Sequence, residues 1–294
     1  MAKFASTLLQ SRAVRSLIDT LEEKLPPLRA WHRFEYEQHF ARETSKARMF
    51  AGVYDSFEAA ESAIALGIRR GHDHPEAADR HTSEINHIWP SDYPVIYWLS
   101  VLLKANGTVF DLGGNVGISF FSFKKYLTYP DGLAWRICEV AATVRWGREL
   151  AEQKNAQGLY FTTEVEEASG ADVLLASGSI QFLEVPLWSS LSRLPSKPLH
   201  ILINRTPLNN GPSFATLHNF GPASCVYRIY DRSAFVAAFN ALGYSLIDSW
   251  ETPEFSCVIP FHPDHTIKAY SGMYFRLEGT NSAISGLRPS SELS

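Results

Sequence analysis

The stretch Val109-Phe110-Asp111-Leu112-Gly113-Gly114-Asn115-Val116-Gly117 joins an apolar run, an acid and a glycine-rich turn. Glycine has no Cβ and tolerates positive φ, so such a turn lets backbone come close to a ligand. A helix starting behind it offers unpaired N–H groups. The pattern Asp-x-Gly-Gly-Asn-x-Gly differs from the G-x-G-x-x-G of dinucleotide folds and from the G-x-x-x-x-G-K-[ST] of phosphate loops. Asp111 ends its strand, where a carboxylate accepts bonds from backbone N–H groups or from a ligand ammonium. Glu139 ends the next strand, where an acid accepts both hydroxyls of a ribose and repels a 2′-phosphate. Ser177, Ser179 and Gln181 follow a fourth strand and offer neutral hydrogen bonds. Acidic metal ligands are missing from that segment, which argues against a magnesium-dependent site.

Four further candidates follow in the chain. Asn204 and Arg205 end a fifth strand; the arginine has two partners open to it, a substrate carboxylate or a structural acid. His218 lies in a long connection, and an imidazole is the side chain able to act as a general base near neutral pH. Tyr230, close by in sequence, is a second candidate for removing a proton. The His72-x-His74 pair lacks a supporting carboxylate and reads as a solvated loop, so no metal is expected.

These residues need a scaffold, and its period is readable. Leu8, Leu9, Leu17, Ile18, Leu21 and Leu25 recur at helical spacing, so residues 1 to about 50 read as helical, interrupted at Pro26-Pro27. Ser56 to Arg70 reads as a helix with Ser56 as N-cap and Gly71 past its end, and Tyr93–Leu103 as another with Pro94 in its first turn. From Gly107 short strands alternate with helices: strands over 108–112, 135–140, 159–163, 172–177 and 199–204, and helices over 116–126, 142–155 and 233–242. Strands over 245–250 and 269–277 follow with no helix between them. The expected fold is α/β: a seven-stranded, mostly parallel Rossmann-like sheet with helices on both faces and an antiparallel edge strand, plus an N-terminal helical cap. The expected division is a cap or lid over 1–106, a ligand-binding domain over 107–278 and a flexible tail over 279–294, with the 172–177 strand beside the 108–112 strand.

Composition narrows the partners. The net charge is −4 with no basic block, which disfavours nucleic acid. No run approaches the ~20 apolar residues of a membrane span. Cys138, Cys225 and Cys257 are widely spaced, which argues against a disulfide framework and fits a cytoplasmic protein. A small-molecule substrate is the expected partner, and the cap is a candidate surface for a homodimer.

The 109–117 loop resembles motif I of class I S-adenosylmethionine (SAM) methyltransferases, with Asn115 where the usual D/E-x-G-x-G-x-G carries its middle glycine; Asn tolerates the left-handed conformation. Glu139 matches the acidic second motif. The segments 92–99, 175–181, 201–208 and 227–230 resemble a narrower methyltransferase-like branch whose members belong to surface-polysaccharide or natural-product pathways. The resemblance covers residues from near 88 to 277. It implies SAM as cofactor, held by Asp111, Gly113, Gly114, Asn115, Gly117, Glu139, Ser177, Ser179 and Gln181. His218, Tyr230 and Asn204 are then the catalytic candidates, and Tyr93, Tyr97 and Arg205 the substrate-binding ones. The branch also resembles azetidine-2-carboxylate synthases, which cyclise SAM and release methylthioadenosine; Trp31, Phe34, Tyr36, Trp89, Tyr93, Tyr97 and Trp98 would then form an aromatic lid over the sulfonium. Methyl transfer to a small metabolite is the expected activity and cyclisation the alternative. A non-catalytic SAM-binding scaffold is disfavoured by the intact loop and polar strand ends.

Overall fold

The structure, a computed structural model, describes residues 26–42, 48–64, 85–221 and 223–279. The helix expected before Pro26, the Arg70 end of the Ser56 helix with Gly71, the His72 and His74 pair and the tail after Gly279 lie outside those residues.

Helix α1 (Pro26–Arg42) opens on its two prolines, where a missing N–H leaves no bond unmade. Strand β1 (Met49–Tyr54) follows, so the helical reading is corrected at its end: this piece pairs in a sheet. Helix α2 (Phe57–Ser62) is capped as expected, the Ser56 Oγ accepting from the Ala59 N–H at 3.1 Å. Helix α3 (Asp92–Leu102) precedes the alternating region: β2 (Thr108–Leu112), α4 (Ile118–Phe123), β3 (Ala134–Cys138), α5 (Ala141–Gln153), β4 (Leu159–Thr162), β5 (Val173–Ser177), α6 (Leu187–Leu191) and β6 (His200–Thr206). Then come β7 (Leu208–Asn209), β8 (Phe214–Asn219), β9 (Ser224–Asp231), α7 (Arg232–Ala241), β10 (Tyr244–Thr252) and β11 (Tyr270–Leu277).

The large sheet has the order β10-β11-β6-β5-β2-β3-β4. Strands β6, β5, β2, β3 and β4 run parallel, and β11 runs antiparallel to both its neighbours. The expected adjacency holds, with Asp111 opposite Leu175. The order reverses between β2 and β5, and in open α/β sheets a ligand sits beyond the strand ends at that point. One face of the sheet buries Val109, Trp135, Ile137 and Leu202 together with Val95 and Leu99 of α3. The other face buries Phe110, Leu174, Ile201 and Phe275 against Phe235 and Phe239 of α7.

A second sheet, of order β1-β8-β9-β7, occupies the segment read from sequence as a long connection. β8 and β9 form an antiparallel pair, and β1 adds to its edge with Phe50 opposite His218. The short turn Ile180–Phe182 after β5 joins the sheets: the Tyr230 hydroxyl of β9 donates to the Ile180 carbonyl at 3.0 Å, and the Phe182 ring lies 5.0 Å from that of Tyr227.

Candidate SAM-binding and active site

The glycine loop leaves β2 through three left-handed residues: Gly113 at φ +73, Asn115 at +54 and Gly117 at +102. A methyl group at Gly113 would overlap the Ser179 side chain, and one at Gly114 would lie 2.5 Å from the Asp111 carboxyl carbon. Bare backbone is therefore required at both positions. Asn115 fills the third by turning its Oδ1 to accept from the Val116 N–H at 2.8 Å, a local bond that glycine lacks. Glu139, just past β3, accepts from the Asn115 N–H at 3.1 Å and from the Val140 N–H at 3.1 Å, which fixes its carboxylate against the loop. The Ser179 Oγ donates to the Leu112 carbonyl at 2.5 Å, tying the segment after β5 to the same turn.

Asp111 lies beneath this loop, 1 % exposed. Its Oδ2 accepts from the Trp135 Nε1–H at 3.0 Å, while its Oδ1 has no hydrogen-bond partner among the described residues. Burial pushes its carboxyl up to about 7, against the opposing effect of the Trp135 bond.

These groups open onto one cavity of ≈ 1200 Å³. Of the residues singled out from sequence, Asp111, Gly113, Gly114, Asn115, Glu139, Ser177, Ser179, Gln181, Arg205 and His218 line it. Gly117 is instead the turn before α4, set against Phe121 and Leu159. The Gln181 side chain is 2 % exposed, and its Oε1 has no hydrogen-bond partner among the described residues. His218 is buried on β8, its ring stacked on Phe50 at 4.9 Å and its Nδ1 3.9 Å from the Cys225 Sγ. Burial raises the Cys225 thiol well above its ordinary range, so it is no thiolate nucleophile.

Asn204, Tyr230, Tyr93 and Tyr97 are outside the cavity lining. Asn204 does not line the cavity; it is fully buried, its Nδ2 donating to the Ser177 Oγ at 3.3 Å and its Oδ1 accepting from the Trp250 Nε1–H at 3.1 Å. Tyr230 is outside the cavity lining and 2 % exposed, its hydroxyl donating to the Ile180 carbonyl and its ring 5.4 Å from that of Trp188. Tyr93 and Tyr97 stand on the outer side of α3, more than half exposed. Of the proposed aromatic lid, Trp89 alone lines the cavity; Trp31 and Phe34 face solvent, and the Trp98 Nε1–H donates to Asp248.

Arg205, at φ +56, resolves its two sequence readings toward a structural acid. Its guanidinium pairs with Asp92 at the start of α3, and its Nε–H donates to the Ser91 Oγ at 3.1 Å. Burial raises the Asp92 carboxyl in spite of that arginine. Glu254 also lines the cavity, with its Oε1 accepting from the Ser91 N–H at 2.8 Å and its Oε2 buried without a hydrogen-bond partner among the described residues. Burial acts to raise its carboxyl, but the Ser91 bonds and the Arg205 charge together hold it below its ordinary value. Glu254, Phe255, Tyr270 and Arg48 are cavity residues that no motif announced; Trp89 was visible only as part of an aromatic cluster.

The donor set fits SAM. Asp111 keeps a buried oxygen in need of a donor, which an ammonium or N–H supplies. The bare Gly113-Gly114 backbone admits a chain at close range, and Glu139 presents a carboxylate at the ribose position. Among the described residues, no group of three His, Cys, Asp or Glu side chains is placed to hold a metal ion. Nor is any described helix long and apolar enough to cross a membrane.

No protein-family model matches this sequence, and neither does any curated protein. Solved structures do resemble it in fold. A chain of the complex between the Haloferax volcanii Trm112 methyltransferase activator and a methyltransferase matches at TM-score 0.50 and 12 % identity, covering 72 % of this chain and 98 % of that one. Burkholderia thailandensis 1,6-didemethyltoxoflavin-N1-methyltransferase, solved with S-adenosylhomocysteine, is 17 % identical over 68 % of this chain and 82 % of its own, at TM-score 0.45. A SAM-dependent methyltransferase from Aquifex aeolicus is 14 % identical over 69 % of this chain and 98 % of its own, at TM-score 0.44. Strand order, the antiparallel β11 and the glycine loop at the switch point agree on one architecture: the chain has the fold of the class I SAM-dependent methyltransferases.

Proposed function

We propose that this protein binds SAM across the ends of β2, β3 and β5 and transfers its methyl group to a small-molecule acceptor. The observation that carries the reading is Asp111: a buried carboxylate with one oxygen that has no hydrogen-bond partner among the described residues, set under a loop whose two glycines admit no side chain. Bound SAM supplies an electrophilic methyl group. The chain's own part is to hold the acceptor in line with it, exclude water and accept a proton. His218 is the cavity residue suited to take that proton from a hydroxyl or amine. Asn204 and Tyr230 act behind the wall, fixing Ser177 and the Ile180 turn. We place the acceptor among natural-product or surface-polysaccharide intermediates, and the protein in the cytoplasm, on the resemblance of segments 92–99, 175–181 and 201–208.

A second reading uses the same donor site: cyclisation of SAM to azetidine-2-carboxylate with loss of methylthioadenosine. The rings of Trp89, Phe182, Phe220 and Phe255 along the cavity favour it, because aromatic faces attract a sulfonium. Incubation of the pure protein with SAM alone, read by mass spectrometry, separates the two. Methylthioadenosine with azetidine-2-carboxylate supports cyclisation; S-adenosylhomocysteine formed only with an acceptor supports methyl transfer. Absence of SAM binding by calorimetry would sink both. Glu139→Ala is expected to weaken SAM binding at least about tenfold, since a charge-assisted pair to a ribose is lost; unchanged affinity would refute the ribose assignment.

A further inference from the structure

The cavity wall carries a charge that neither reading uses. Arg48, just before β1, lines the cavity and makes no ion pair or hydrogen bond with another described residue. Its guanidinium carbon lies 5.6 Å from the centre of the Phe255 ring, and that ring stacks on Tyr270 at 6.1 Å. The Tyr270 side chain is 1 % exposed and lines the same cavity. Its hydroxyl accepts the Tyr227 O–H at 2.9 Å, so its own proton is left to be donated. Arg48 lies near enough to this hydroxyl pair to oppose the upward shift that burial imposes on both tyrosines.

The other charges on the lining differ from this one. Arg205 is already matched by Asp92, with Glu254 close by. Asp111 and Glu139 give the loop end a negative character that repels an anion. Among the described residues, Arg48 is the lining cation with no ion partner, and it lies over the Phe255 ring that stacks on Tyr270. An arginine fork and a hydroxyl donor on the wall of one cavity match a carboxylate, which accepts on both oxygens.

We infer that Arg48 and Tyr270 form a carboxylate subsite in this cavity. The inference rests on the cavity being the reaction chamber proposed above. Two molecules bring the same chemistry: the α-carboxylate of SAM, or a carboxylate on the acceptor. Four probes distinguish them by calorimetry: S-adenosylhomocysteine, its decarboxylated analogue S-adenosyl-3-thiopropylamine, benzoate and benzamide, the last two titrated with S-adenosylhomocysteine saturating. If SAM supplies the carboxylate, Arg48→Gln weakens S-adenosylhomocysteine at least about tenfold and leaves the decarboxylated analogue unchanged. If the acceptor supplies it, the wild type prefers benzoate to benzamide, and Arg48→Gln removes that preference. Arg48→Lys is expected to restore part of either effect, and both variants should melt with the wild type because Arg48 is on the surface. A wild type that does not separate either acid from its neutral partner, or an Arg48→Gln protein that still does, overturns the subsite. Failure of S-adenosylhomocysteine to bind the wild type refutes the donor-site reading instead, and the benzoate–benzamide comparison, run on the protein alone, then decides the subsite by itself.

Discussion

Asp111→Asn is expected to make the free protein more stable above pH 7 while removing most of its affinity for SAM. The Asp111 carboxyl moves from an ordinary value of 3.8 to about 7 on folding, because burial penalises its charged form. Between those values the folded chain holds a proton that the unfolded chain has released. Stability therefore falls as pH rises through this window, and the loss is complete above about 7. At ~1.4 kcal/mol per pH unit, the full penalty is on the order of 4 kcal/mol. Asparagine has no proton to lose, and its carbonyl keeps the acceptor for the Trp135 Nε1–H. Wild type and variant should melt alike near pH 4 and diverge at pH 8, with the variant higher. Calorimetry should show the opposite order for SAM, weaker in the variant by about tenfold or more, because the ammonium loses a charged partner. A variant that binds SAM like the wild type would remove Asp111 from the donor site.

Asp92→Ala carries the second large effect, on stability alone. The Asp92 and Arg205 side chains are 6 % and 18 % exposed, and the pair joins the start of α3 to the end of β6. Ion pairs this deep contribute little relative to apolar residues of the same shape. Removing one partner is another matter, because a largely buried guanidinium loses its carboxylate, a change that costs up to about 3–5 kcal/mol, offset in part by Ser91 and the nearby Glu254. Arg205 also sits at φ +56, a conformation a long side chain adopts only when its surroundings hold it there. Thermal unfolding of Asp92→Ala should fall by roughly 10 °C, and Asp92→Ala/Arg205→Met should recover most of the loss. A double variant no more stable than Asp92→Ala would show that the guanidinium deprived of Asp92 is not the cause.

The parts of this molecule that could be read from sequence are those with a local signal. Strands β2, β5 and β6 are buried on both faces and appear as apolar runs. The glycine loop announces itself because close backbone approach admits few residue types. Helix α3 shows where such signals stop. Its sequence is apolar nearly all round, so periodicity does not say which side is buried; packing buries Val95, Ile96, Trp98, Leu99 and Leu102 and leaves Tyr93 and Tyr97 outside. The second sheet was hidden for a different reason. Strand β8 is buried at every position in spite of Thr216, His218 and Asn219, so it shows neither the alternation of a half-buried strand nor an unbroken apolar run. Arg48 and Glu254 belong to the cavity through tertiary contacts alone, and no short-range pattern marks such residues.

The Thr216 hydroxyl donates to the Ala51 carbonyl across 165 residues of sequence, and this pairing sets an order of events at the ribosome. At synthesis rates of about 5–20 residues per second, β1 waits roughly ten to thirty seconds for its partner strand. During that interval Phe50 and Ala51, both buried in the finished protein, have no β8 to cover them. The parallel strands from β2 to β6 are translated in the meantime and need nothing from β1 to pair. The wall that brings Phe50 against His218 thus closes only after the strands β2 to β6 have been made, and its closure depends on a long loop with a correspondingly slow search. A nascent chain can own a glycine loop well before it owns a chamber, so occupancy by ligand reports the end of folding and not its beginning.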